Sequence, residues 1–258
     1  MAIGSYGPKH GDQEGLIETL AGGLWKATRI PLPAHLPPGP ALVVLDDVTC
    51  MAVGSCVVVG DYETEVPDNQ KTVLFVDTLS PGKKKWSSAT LPLPADGVAN
   101  APFDSVNAVS CTAPGACVAV GTYDYDGNQS HGLIDTLSGG AWTATSISSP
   151  TNTAPNQSLL FTSVACPADG SCVATGLYNF APGQDAQAVT ESLSDGAWIG
   201  LKAPLPLMPE DRTTTATSTP WPVRRWVRAR PSGTTTGVSG SSTPCRKASG
   251  RPRRPVVD

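Results

Sequence analysis

Three stretches of this chain repeat one another: "VTCMAVGSCVVVGDY" (Val48 to Tyr62), "VSCTAPGACVAVGTY" (Val109 to Tyr123) and "VACPADGSCVATGLY" (Val164 to Tyr178). A variable loop follows each, then an apolar run ending in acidic-x-Leu and a Gly-x-Trp or near equivalent, as in "HGLIDTLSGGAW". Trp25, Trp86, Trp142 and Trp198 mark the unit at intervals of 61, 56 and 56 residues. A period of this length restricts the chain to an array of one supersecondary unit, in which neighbouring copies bury each other's apolar faces.

Within a unit, segments such as "FTSVAC", "CVAVGTY", "GLIDTLS" and "AWTATSI" are short, rich in β-branched and aromatic residues, and bounded by Gly, Pro, Asn or Ser. That makes four strands per unit and no long helical pattern. Four sequential strands repeated every 55 to 60 residues or so fit the blade of a β-propeller, whereas a parallel β-helix needs a far shorter period. The expected fold class is all-β, an incomplete β-propeller of four-stranded antiparallel blades with an irregular or disordered C-terminal tail. The expected boundaries are a partial blade over 1–45, blades over about 46–104, 105–158 and 159–208, and a basic Pro/Arg/Thr-rich tail over 209–258. Composition agrees: 26 Gly and 25 Pro supply many turns, 40% apolar residues can form a core, and no stretch approaches 18 uninterrupted apolar residues. An array too short to close a ring predicts exposed strand edges and apolar faces.

The cysteines recur with the strands. In Cys111-Thr-Ala-Pro-Gly-Ala-Cys117 a Pro-Gly turn lets two thiols face each other across adjacent strands, and the same spacing pairs Cys50 with Cys56 and Cys166 with Cys172. Closing so small a loop stabilises a fold by roughly 2 kcal/mol. The metal-binding alternative is weaker, because zinc takes four ligands and each unit offers two cysteines and no recurring His. Regular disulfides predict an oxidising compartment, and hence a secreted or cell-surface parent protein.

No export signal precedes the repeats, and the first residues suggest why. "AIGSYGPKHGDQEGLIETLAGGLWKAT" (Ala2 to Thr28) aligns without a gap to "AVGTYDYDGNQSHGLIDTLSGGAWTAT" (Ala119 to Thr145), so the chain starts inside a unit. A truncated or misassigned start, with the signal upstream, is the expectation. The other end changes character. Before Asp211 there are eight Lys plus Arg against twenty Asp plus Glu; from Asp211 onward the count is ten against two. Reading the codons of Pro220 to Ala229 one base out of register permits V-A-C-x-x-x-G-x-C with the repeat's spacing. Gly240 to Gly250 then permits "LIDTLSQG" and a Trp. The tail is therefore expected to be an out-of-frame blade and Cys245 an accident of it. A basic arm whose Trp221 and Trp226 stack on nucleic-acid bases is the competing reading. The recovered repeat argues against specific nucleic-acid binding and leaves only non-specific polyanion affinity.

In "VNAVSCTAPGACVAVGTYDYDGNQSHGLIDTLSGGAWTAT" the chain resembles the Cys-containing, propeller-like repeat proteins encoded in actinobacterial genomes. The resemblance covers roughly Ala2 to Pro206. It implies a high-GC source, export and a β-propeller-like fold, and it carries over no catalytic residue.

Candidate chemistry is sparse. Glu18, Asp77, Asp135 and Glu191 occupy equivalent positions, and carboxylates converging from several blades would suit a cation, a sugar or glycoside hydrolysis. The plainer reading is a structural side chain repeated because the blade repeats, since an active site breaks repeat symmetry. Asp124-Tyr-Asp126-Gly-Asn128 has the oxygen-rich look of a calcium loop, but it occurs once and lacks a distal bidentate acid. Tyr6, Tyr62, Tyr123 and Tyr178 read as packing residues, Lys83 to Lys85 as a solvated hairpin tip, and His10 and His131 as loop residues that, with His35, share no spacing and form no Ser, His and Asp constellation. Asn128-Gln-Ser130 and Asn156-Gln-Ser158 match the glycosylation sequon. The functional expectation is a non-enzymatic exported binding or scaffolding module without cofactor or metal, taking a protein or glycan ligand. A carbohydrate-active enzyme, glycosidase or lyase, is the second reading, and a fragment without stable function because its ring cannot close is the third.

Overall fold

The computed structural model describes residues 1–7, 13–64, 70–125, 129–148, 158–179 and 186–202. Of the two units into which the chain divides, Met1–Pro206 holds the described strands, and Leu207–Asp258 lies outside the described residues. The tail, Cys245 and its proposed frame lie there too, as do His10, Asp126 to Asn128 and Asn156.

All regular structure among the described residues is antiparallel β. A three-stranded sheet contains β1 (Ala2–Tyr6), β2 (Glu14–Ala21) and β3 (Leu24–Arg29). The first full blade contains β4 (Ala41–Ala52), β5 (Ser55–Thr64), β6 (Thr72–Leu79) and β7 (Ser87–Thr90). The second contains β8 (Ser105–Ala113), β9 (Ala116–Asp124), β10 (Ser130–Ser138) and β11 (Ala141–Ile147), and the third β12 (Leu159–Ala168), β13 (Ser171–Asn179), β14 (Ala186–Ser194) and β15 (Ala197–Lys202). In each full blade the strands lie in sequence order, and the first strands β4, β8 and β12 contact one another in turn. This is the radial stacking of propeller blades, here an incomplete propeller. The first blade starts at Ala41, ahead of the boundary at 46 read from the repeat, because Ala41 to Leu45 already pair with Thr64 to Gly60.

Strand alternation builds the core. Val57, Val59, Leu74 and Val76 of the first blade meet Val106, Val109, Ala119, Tyr123, Leu133 and Leu137 of the second. Val58 and Phe75, one residue out of phase, face Ile17 and Ile30 on the three-stranded side. Val118, Val120 and Ile134 likewise turn to Leu159, Phe161, Ala174 and Val189 of the third blade. Each middle blade is thus apolar on both faces, which explains unbroken runs such as "CVVV" and "CVAV" where a half-exposed sheet would alternate.

The repeated Gly before the Tyr has a steric cause. A bulge interrupts the first strand of each full blade, between Leu45 and Asp47, Val106 and Ala108, and Phe161 and Ser163. The bulge presses a carbonyl toward the second strand, where a Cβ on Gly60, Gly121 or Gly176 would collide with the backbone oxygen of Val44, Ser105 or Leu160. The last hairpin of the second blade turns through Gly139 and Gly140, both at positive φ (61° and 83°), as a tight two-residue hairpin requires.

Candidate functional site

The predicted disulfides are formed: Cys50–Cys56, Cys111–Cys117 and Cys166–Cys172, with Cα separations of 4.0, 4.0 and 4.1 Å. Cys50 and Cys111 lie directly opposite Cys56 and Cys117 in the strand register, which brings the α-carbons this close. The bridges tie the two strands of one hairpin and fit an oxidising, extracellular environment.

The repeated acids are buried one by one. Asp77 and Asp135 are 0% exposed, and neither oxygen of either carboxyl has a hydrogen-bond partner. Asp77 lies opposite Val58 and Ser88, Asp135 opposite Ala119 and Ala144, and Glu191 opposite Ala174 and Gly200. Side-chain length is compensated across the pair: a Cβ on Gly200 would strike the Glu191 carboxyl, so the longer acid faces the smaller residue. Burial pushes Asp77 up to about 7, with the nearby Ser88 hydroxyl pulling slightly the other way although it falls short of hydrogen-bond geometry. Burial alone pushes Asp135 up to about 8 and raises Glu191. By register each acid shares a face with residues of a different hydrophobic cluster, Val58, Ala119 and Ala174. Trp86, Trp142 and Trp198 pack on the same three clusters in the same order, while Trp25 is 55% exposed. Glu18, the fourth equivalent acid, is only half-buried. These residues are therefore brought to successive blade interfaces, not to one shared cleft.

Further side chains stitch the blades together. Asp47 and Asp61 accept hydrogen bonds from the backbone N–H groups of Val109 and Val106, at 2.9 and 3.2 Å. At the next interface Asn107 and Thr122 donate to the carbonyls of Phe161 and Leu159, both at 2.8 Å.

The position that breaks the symmetry is the end of the second strand. Each Tyr there is cross-strand partner to the residue four before the repeated acid: Tyr6 to Glu14, Tyr62 to Val73, Tyr123 to His131 and Tyr178 to Gln187. In the three-stranded sheet Tyr6 donates to Glu14, which also pairs with Arg29 at 3.0 Å. Tyr62 donates to the Pro37 carbonyl at 3.0 Å, and Tyr178 to Gln187 Oε1 at 2.9 Å.

The second blade gathers far more (Tyr123, His131, Ser146, Asp96 and Tyr125). The Tyr123 hydroxyl lies 3.0 Å from Asp96 Oδ1, 2.6 Å from Ser146 Oγ and 3.4 Å from His131 Nδ1, and Ser146 Oγ is also 3.4 Å from His131 Nδ1. One phenolic proton cannot serve three acceptors. The carboxylate is the strongest of them, so Tyr123 donates to Asp96 and accepts from Ser146. Burial, opposed by the Ser146 hydrogen bond and reinforced by Asp96, pushes Tyr123 up to about 12, which keeps it a neutral phenol. Tyr125 stacks on the His131 ring, centroids 4.5 Å apart and planes at 13°, with Tyr123 edge-on at 5.9 Å. His131 is thus a strand residue of β10, not the loop residue the sequence suggested, with Ser146 beside it and Asp96 one step further through Tyr123.

The link between the first two blades seals this end. The Val98 N–H donates to the Asp124 carbonyl and the Asp124 N–H to Asp104 Oδ1, at 2.9 and 2.8 Å. Sequence reasoning passed over Asp96 and Ser146, and set His131 aside, because no motif spacing connects them. A readable trace existed, however: four residues before the repeated acid the chain reads Glu, Val, His and Gln, a different residue in every unit. Among the described residues no group of three or more His, Cys, Asp or Glu could hold a metal, and no helix is long and apolar enough to cross a membrane. Comparison with known proteins finds no matching family, no matching curated protein and no matching solved structure.

Proposed function

We propose that this chain is a non-enzymatic binding or scaffolding module of an exported, cell-surface protein, of the same kind as the actinobacterial propeller-like repeat proteins it resembles. The observation that carries the reading is the rim of the second blade. There the repeat abandons its pattern and sets aromatic, imidazole, hydroxyl and carboxylate groups side by side at the surface. Repeat proteins place function where copies differ, because what all copies share already serves the stacking they all need.

Binding is favoured over hydrolysis by the placement of the acids. A glycosidase needs two carboxyl groups about 5 to 9 Å apart flanking one bond, whereas Asp77, Asp135 and Glu191 are sealed into three different clusters. Ser146 Oγ lies 3.4 Å from the imidazole but 2.6 Å from the Tyr123 hydroxyl, to which it donates, so its proton is not directed at the base. Incubating the oxidised full chain with cell-surface polysaccharides and cell-surface proteins tests the reading. Saturable binding without change in the partner is expected; release of new reducing ends or unsaturated sugars would establish the enzyme instead.

A further inference from the structure

We infer that the rim of the second blade binds a neutral carbohydrate, with the Tyr125 ring, backed by His131, as the platform for one face of a pyranose and the Asp96 carboxylate as acceptor for its hydroxyls. The inference rests on the binding-module reading and names its ligand class. A pyranose has an apolar C–H face and a periphery of hydroxyls, so it needs an exposed aromatic ring with hydrogen-bonding groups along the edge. Tyr125 is 38% exposed, and its stacking on His131 holds the ring before any ligand arrives. Asp96 is exposed and uses one carboxylate oxygen to accept from Tyr123, which orients the group toward further donors. Hydrogen bonds from sugar hydroxyls to an ionised acceptor are among the stronger ones a surface can make.

Ordered neighbours lower the entropic cost of capture. Tyr123 is buried and fixed by Asp96 and Ser146, the Gly97 N–H bonds the Pro94 carbonyl, and a Cβ on Gly97 would press on the Tyr123 ring. The charge selects for neutrality: the exposed Asp96 carboxylate accepts from a neutral donor, Tyr123, so uronates and phosphates are repelled.

Native affinity electrophoresis of the oxidised full chain tests this, in gels containing hydroxyethyl cellulose, β-mannan, xylan, dextran or polygalacturonate. Retardation is expected in at least one neutral gel, whereas any retardation in polygalacturonate comes from the basic tail and is unchanged by Tyr125→Ala. Tyr125→Ala should weaken it at least tenfold and Asp96→Asn about threefold, with unchanged melting temperatures. If Tyr125→Ala fails to fold, His131→Gln, which copies the Tyr178–Gln187 pair of the third blade, supplies the same test. Retardation that Tyr125→Ala and His131→Gln leave intact overturns this site and spares the binding-module reading. Capture of a surface protein that Tyr125→Ala abolishes, without glycan retardation, overturns the carbohydrate and assigns the rim to a protein. Binding to neither glycans nor surface proteins removes both readings.

Discussion

The acids at the strand centres and the tyrosines at the strand ends recur with the same period, but their neighbours differ in opposite ways. Around Asp77, Asp135 and Glu191 the surroundings are nearly constant: small residues opposite and apolar clusters outside. Around Tyr6, Tyr62, Tyr123 and Tyr178 the partner changes every time, from carboxylate to backbone carbonyl to a four-member network to an amide. Constancy marks what stacking requires of every blade. Divergence marks what stacking leaves free, and in the second blade that freedom brings polar and aromatic groups together at the rim.

The comparison breaks most easily at the constant side. Gly121→Val should cost about 3 kcal/mol or more, because the new side chain meets the Ser105 carbonyl rather than a flexible neighbour. Gly4, at the equivalent point of the three-stranded sheet, would carry a Cβ with nothing within 4 Å of it, so Gly4→Ala should change stability by under about 0.5 kcal/mol. Urea denaturation measures both, and equal losses would refute the steric role of the bulge.

Next in size is the effect of pH. Asp77 and Asp135 hold their protons to about 7 and about 8 when folded, whereas an unfolded Asp ionises near 3.8. The folded state therefore binds more protons across that window. Its stability is fully present below about pH 3.8 and is lost as pH rises through 7 and 8. The melting temperature should fall by about 10 °C or more between pH 4 and pH 9, and Asp135→Asn should flatten the slope. A flat profile in the parent chain would show that these carboxyls find partners on ionising.

Smaller effects sharpen the contrast. Replacing Cys111 and Cys117 together by Ser should cost roughly 2 kcal/mol, since the loop is short. Tyr123→Phe should cost about 1 kcal/mol in chemical denaturation, the worth of its hydrogen bonds, while leaving its ring in the core. A loss as large as that of Gly121→Val would make the rim part of the framework after all.

Much of the interior was legible in the chain because stacking imposes period. The cysteine spacing, the Gly before the Tyr, the Trp and the acid each recur wherever a strand pair must close, bend or pack, so one aligned unit exposes them all. The rim was not legible for a related reason. Asp96 comes from the link between blades, Ser146 from β11 and His131 from β10, and only register and side-chain direction bring them to Tyr123. Their spacing of 35 and 15 residues from His131 (131 − 96 and 146 − 131) matches no local motif. The burial of Asp77 and Asp135 without partners was equally unreadable, since it depends on the neighbouring blade closing over them.

The most direct test of the contrast between a constant interior and a functional rim is to convert one rim into another. His131→Gln gives the second blade the pairing of the third, and its retardation in neutral polysaccharide gels should be compared with that of the parent chain alongside a thermal melt. An unchanged melting temperature with at least a tenfold loss of retardation is the expected result. Unchanged retardation by a folded His131→Gln protein would contradict it, and would mean that the divergence at the rim is drift.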